Sequence, residues 1–74
     1  MKTENTKIAV LSGQTVRKFV NRLKKAGLSI DIDRPNHKRV TDEDGNCVFS
    51  ALKYSSGWDC RVNIDYFGTL QELL

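Results

Sequence analysis

The spacing of apolar residues limits the possible folds of this chain. A helical spacing is followed at once by the two-residue alternation of a strand. Five apolar side chains recur at the i, i+3, i+4, i+7 spacing of one helix face: Val16, Phe19, Val20, Leu23 and Ala26. Ser12 suits the N-cap before them, and Gly27 suits the left-handed residue that ends a helix. The pattern predicts a helix from about residue 13 to 26, with Leu28 folded back onto it.

Beyond the helix the apolar residues alternate with polar ones, which is the pattern of a strand with one buried and one wet face. Leu28, Ile30 and Ile32 are expected to face the core. Pro35 and Asn36 then predict a turn, because proline fixes its own φ and asparagine tolerates a tight bend.

A second turn is predicted at Asp44-Gly45, a strong two-residue hairpin signal. The strands on either side of it would run from about 38 to 42 and from about 46 to 54. This hairpin sets Val40 opposite Phe49, so that both side chains face the core.

A last hairpin is predicted with Ser55 and Trp58 flanking a two-residue turn and a final strand at about 59–67. That register places three pairs on one side of the sheet: Ala51 with Val62, Phe49 with Ile64, and Cys47 with Tyr66. Cys47 and Cys60 would then lie too far apart for a disulfide bond.

Together these elements predict one α+β domain over residues 1–74, in which an amphipathic helix packs on an antiparallel meander of three to four strands. The pattern also allows a short N-terminal strand at about 7–11 and a short C-terminal helix after Gly68-Thr69. Residues 1–6 are polar and expected to fray. A chain of 74 residues has room for a single core.

Composition argues against several classes of protein. The longest apolar run, Ile8 to Leu11, is much too short to cross a bilayer, so no membrane partner is expected. Cys47, Cys60 and His37 show neither CxxC spacing nor the number of ligands that a zinc site needs. We therefore expect a cytoplasmic protein with reduced thiols, no metal, no cofactor, no small-molecule substrate and no enzymatic activity.

The charge is strongly polarised. Residues 1–27 carry seven basic side chains and one acidic one, whereas residues 28–74 carry five and eight. Six polar and basic side chains lie opposite the apolar stripe and are called the basic helix face: Arg17, Lys18, Asn21, Arg22, Lys24 and Lys25. Such a face can neutralise phosphates and release their counterions, and Asn21, with Gln14 beside it, could read base edges. The alternatives are an acidic protein surface as partner and a merely solvated face.

A second candidate surface is predicted around the last hairpin, from Tyr54, Trp58 and Arg61. Aromatic side chains beside an arginine can stack on bases or anchor a protein interface. The alternative is that Trp58 folds over the sheet edge and seals the core.

Candidates for catalysis are few. The run Asp42-Glu43-Asp44 lies at a predicted turn, where aspartate serves the backbone, and Asp31 and Asp33 are expected on the wet side of a strand. His37 is the one side chain whose ordinary pKa lies near neutrality, and basic residues surround it in sequence. It is the candidate general base.

Several segments resemble the opening of a known family. Ser12-Gly13 followed by Val16, the run Leu23-Lys24-Lys25-Ala26-Gly27, and a histidine after the first strand are similar to HicA-type toxins, small RNA-cleaving proteins with a double-stranded-RNA-binding-like fold of a helix on a sheet. The likeness covers about the first half of the chain. In that family the histidine follows a Gly-Ser pair, whereas His37 follows Pro35-Asn36. The resemblance implies a ribonuclease that uses His37.

Three functions are consistent with these features. The first is a small non-enzymatic regulator whose basic helix face engages nucleic acid. The second is a regulator or inhibitor that binds one protein target, as small accessory proteins of viruses and mobile elements often do. The third is the ribonuclease.

Overall fold

The structure is a computed structural model that describes residues 6–74, so the predicted fraying of residues 1–5 lies outside it. Thr6, also expected to fray, belongs to the first strand. The described chain forms these elements in order: β1 Thr6–Leu11, α1 Gly13–Lys25, β2 Ser29–Arg34, β3 His37–Thr41, β4 Cys47–Tyr54, β5 Gly57–Asn63 and α2 Ile64–Glu72.

The strands form one antiparallel sheet in the order β1-β5-β4-β3-β2. The predicted meander is present from β2 to β5. The short N-terminal strand that the pattern allowed at about 7–11 is present as β1. It adds a fifth strand to the sheet, because it pairs with β5 along its whole length, from Thr6 opposite Asn63 to Leu11 opposite Trp58. The α1 helix therefore connects two strands at opposite edges of the sheet and crosses one of its faces.

Both ends of α1 form as the sequence predicts. Ser12 is the N-cap, and its Oγ accepts a hydrogen bond from the Thr15 N–H at 3.2 Å. At the other end Gly27 adopts φ +96°, and the Leu28 N–H donates to the Leu23 carbonyl at 3.1 Å. This is the hydrogen bond that closes a Schellman motif, so the start of β2 is fixed by the helix end.

Replacing Ser12 by alanine is expected to lower the free energy of unfolding by about 1 kcal/mol, because the Thr15 N–H loses its partner. Urea denaturation followed by circular dichroism measures the change. Ser56→Ala, in the exposed β4–β5 turn, is the matched control and should change the stability by less than about 0.5 kcal/mol. Equal effects of the two substitutions would contradict the capping role.

The core lies between the sheet and the two helices. Val16, Phe19, Val20 and Leu23 of α1 are buried, as the apolar stripe predicts. Leu70 of α2 belongs to the same cluster. Both helices therefore cover the same face of the sheet, and the other face is called the open face below.

The last hairpin corrects the predicted register. Tyr54 pairs with Gly57, so the turn residues are Ser55 and Ser56, and Phe49 pairs with Val62 rather than with Ile64. The shift is two residues, an even number, so that the same side chains still face the core. Trp58 thereby becomes an inward residue of β5 and is buried.

The predicted strand at 59–67 is wrong beyond Asn63. There the Asn63 side chain accepts a hydrogen bond from the Asp65 N–H at 2.8 Å and caps α2. The helix continues through Gly68-Thr69, where a stop was expected. Ile64 consequently leaves the core and is 47% exposed.

Irregular pairing at two places changes which side chains face the core. Between Ile30 and Ile32 the register with β3 shifts, and Ile32 pairs with Arg39 instead of continuing the inward row of Ile30. A second shift near the start of β4 places Val48 in the core and leaves Cys47 exposed. A bulge breaks the two-residue alternation on which both predictions rested.

Candidate nucleic-acid interface

The basic helix face is exposed along its whole length. The apolar stripe fixes α1 on the sheet, so the opposite arc of the helix must point away from it. No residue of α1 is acidic. Because an α-helix rises 1.5 Å per residue, the cations from Arg17 to Lys25 cover about 12 Å of its axis.

Two rows of side chains make up this face. Arg17 and Lys24 lie along one side of Asn21, and three cations lie along its other side: Lys18, Arg22 and Lys25. Each row borders a shallow depression, of about 270 Å³ on the first side and about 230 Å³ on the second. Asn21 lines both depressions, so its amide lies between two rows of positive charge.

Two carboxylates border the basic helix face. Glu72 of α2 pairs with Arg22 at 3.3 Å, with both side chains largely exposed. Asp33 accepts a hydrogen bond from Lys38 at 2.5 Å. The hydrogen bond and charge of Lys38, with a smaller contribution from Lys24, hold the pKa of Asp33 below its usual value. The carboxylates engage Arg22 and Lys38, whereas Lys18 and Lys25 have no ion pair among residues 6–74.

Lys38 is the residue of this region that the sequence argument missed. It was predicted at the start of the strand at 38–42 but was not assigned to a site. It lies in β3 opposite Asp33 and borders the same depression as Arg17. The hairpin at Pro35-Asn36 was the available signal, since a two-residue turn there makes Asp33 and Lys38 cross-strand neighbours.

The second predicted surface is not assembled. Trp58 is 7% exposed and packs in the core, with its Nε1 3.2 Å from the position of a Cβ built on Gly13. Tyr54 and Arg61 lie on the open face. The structure agrees instead with the alternative, in which Trp58 seals the core.

The acidic run serves the backbone, as expected. The Asp42 carboxylate accepts hydrogen bonds from the N–H groups of Asn46 and Asp44, at 2.8 and 2.9 Å. These bonds, that of Asn46 first, lower the pKa of Asp42. Within residues 6–74 no group of three or more histidine, cysteine or acidic side chains could hold a metal ion.

His37 lies at the start of β3, opposite Arg34 on one side and Leu52 on the other. Its side chain lies on the open face of the sheet, not on the side that the helices cover. Arg39 shares that face and pairs with Asp31, Nε to Oδ2 3.6 Å, whereas Lys38 faces the other way. The basic residues that adjoin His37 in sequence are thus divided between the two faces of the sheet.

Comparison with known proteins identifies no relative: the chain matches no family model, no curated protein and no solved structure. The resemblance to HicA-type toxins therefore stays a prediction. No helix of the described chain is long and apolar enough to span a membrane.

Proposed function

We propose that this chain is a small binding protein that engages nucleic acid through the basic helix face. The observation that carries the proposal is that α1 exposes five cations on one arc, with the amides of Gln14 and Asn21 among them, and contains no carboxylate. Cations held at fixed spacing on a rigid helix displace the counterions condensed on a phosphate backbone.

The shape of the region supports the same proposal. The basic helix face protrudes from the sheet, and a helix of this diameter fits the major groove of duplex DNA. Asn21 lies between the two rows, where an amide reaching a base edge would be flanked by cations on phosphates. Arg22, Lys24 and Lys25 also lie in the last turn, where they complement the negative end of the helix dipole. Their number exceeds what that role alone requires.

The test is an amide chemical-shift titration of the labelled protein with short DNA and RNA duplexes at about 50 and about 200 mM salt. We expect shifts from Arg17 to Lys25 that weaken steeply with salt. With five phosphate contacts, the logarithm of the binding constant would fall with the logarithm of salt concentration with a slope of about −4.5.

Lys18→Gln/Lys25→Gln is the informative variant, because neither lysine has a carboxylate partner among the described residues. The salt slope should become shallower by about 1.8. The matched control, Arg34→Gln/Lys53→Gln, removes the same charge from two exposed strand residues and should keep the slope. No shift with either duplex at low salt, or equal slopes for both variants, would refute the proposal.

The alternatives that rely on Trp58 or on His37 receive less support. A protein target anchored by Trp58 would need a tryptophan that is accessible, and Trp58 is buried. A ribonuclease would need RNA at His37, which lies on the side of the sheet away from the basic helix face. Unchanged RNA cleavage by the His37→Ala variant would refute that alternative.

A further inference from the structure

The open face, on the side of the sheet away from the basic helix face, carries an apolar patch. Ile8, Val10, Leu52 and Tyr54 are 72%, 62%, 44% and 53% exposed. Ile8 and Val10 belong to β1 and Leu52 and Tyr54 to β4, the two strands that flank β5 in the sheet. Contiguous apolar patches of this kind mark interaction surfaces.

Two opposite charges lie inside this patch. Asp59 of β5 pairs with Val10 on one side and Leu52 on the other. Arg61, two positions further along β5, pairs with Ile8. Neither Asp59 nor Arg61 forms an ion pair within residues 6–74. The patch is therefore electrically neutral, although the chain as a whole carries +3.

We propose that the open face binds a second copy of this chain in a symmetric dimer, in which Asp59 of each copy meets Arg61 of the other. In a two-fold interface the same patch occurs on both sides, so it must be complementary to itself. An acid and a base two residues apart, framed by apolar side chains, satisfy that condition. A basic partner would face Arg61 with a like charge, and an acidic partner would face Asp59 with one.

The symmetry operation is specific. A two-fold axis between the sheets, perpendicular to β5 and passing over Cys60, sets β5 antiparallel to itself and Asp59 opposite Arg61. The same rotation sets Val10 over Ile8 of the second copy. Asp59 and Arg61 each lie only about 3.3 Å from Cys60 along the strand. The usual angle of about 30° between packed sheets therefore displaces them little.

The size of the face fits a dimer. The domain measures 34 × 24 × 23 Å, so one broad face offers on the order of 800 Å², which is what each partner contributes to a standard interface. A depression of about 260 Å³ beside Ile8 and Tyr54 gives the surface the relief that interlocking side chains need. Both copies keep the basic helix face outward, so dimer formation does not depend on the proposed function.

The experiment is sedimentation equilibrium over a dilution series of the full chain and three charge variants. The wild type should pass from one chain mass, 8.4 kDa, to twice that mass as its concentration rises. Asp59→Arg and Arg61→Asp each place like charges face to face and should weaken association at least about 100-fold. The double variant Asp59→Arg/Arg61→Asp restores opposite charges and should restore the dimer. Circular dichroism melting curves establish that all three variants fold.

A wild type that keeps a single chain mass at every concentration would overturn the proposal. So would a dimer that both single variants leave intact, or a folded double variant that stays monomeric, because either result would contradict the pairing of Asp59 with Arg61 of the other copy. All these variants retain the basic helix face. Nucleic-acid binding by a monomeric single variant would therefore separate the dimer from the proposed function.

Discussion

Phe49→Ala is expected to lower the free energy of unfolding by about 3–5 kcal/mol. Phe49 is fully buried at the centre of the sheet, with Val40 on one side and Val62 on the other. Its ring meets Phe19 of α1 edge to face, with centroids 4.9 Å apart and an interplanar angle of 88°. Truncation would remove this contact and leave a cavity between helix and sheet.

The effect is large for a domain of this size. At about 0.05–0.15 kcal/mol per residue, 74 residues give a total stability of roughly 4–11 kcal/mol. Urea denaturation in dilute solution, followed by circular dichroism, measures the loss. Tyr54→Ala truncates a ring on the same strand, but one that is 53% exposed, and should cost less than about 1 kcal/mol. Similar losses for the two variants would show that Phe49 is not the central contact between α1 and the sheet.

The helix and the first two hairpins could be predicted because local signals agree there. In α1 the apolar period, the Ser12 cap and the Gly27 stop all define the same element. At the 44–45 turn the hairpin signal and the apolar pattern together set Val40 opposite Phe49, as the structure confirms. Where turn chemistry and burial give the same answer, a sequence specifies its pairing.

The last hairpin could not be predicted because two registers satisfy the same alternation. Shifting β5 by two residues keeps Val62 and Ala51 inward in either case, so burial alone does not distinguish them. The period-two pattern also continues through Val62, Ile64 and Tyr66, although the chain turns into α2 at Ile64. The capping signal of Asn63, with an acidic residue at Asp65 in the first turn, was present and was outweighed by the alternation.

The candidate site followed from the sequence for a similar reason. The apolar arc of α1 determines which side chains point outward, so the basic helix face could be predicted without knowledge of the sheet. Trp58 could not be assigned in the same way, because the predicted register placed it beside the turn, whereas in the structure it is a paired residue of β5. The open face was missed because β1 was predicted without its pairing to β5, which alone brings Val10 beside Asp59.

Cys60 is expected to resist alkylation in the folded protein. Burial, reinforced by the negative charge of Asp59, raises the pKa of its thiol to about 12 from the ordinary value of 9.0. At a given pH below 9, the thiolate fraction of Cys60 is therefore about 1000-fold lower in the folded protein than it would be at the ordinary pKa. The thiolate is the form that reacts. Iodoacetamide at neutral pH, followed by mass spectrometry, should modify exposed Cys47 and leave Cys60 unmodified until urea is added. Rapid modification of both thiols in the folded state would contradict the burial of Cys60.

The same pKa shift predicts how stability depends on pH. The folded state holds the Cys60 proton more tightly than the unfolded state, so unfolding releases protons between pH 9.0 and about 12. The stabilising contribution is complete below pH 9.0 and is lost as the pH rises towards about 12, at up to about 1.4 kcal/mol per pH unit. The informative quantity is the difference in stability between the wild type and Cys60→Ala, because that difference isolates the contribution of this thiol. The variant should be less stable at neutral pH because of its cavity, and its stability should fall less steeply above pH 9.0. Parallel curves would mean that Cys60 ionises as freely in the folded chain as in the unfolded one.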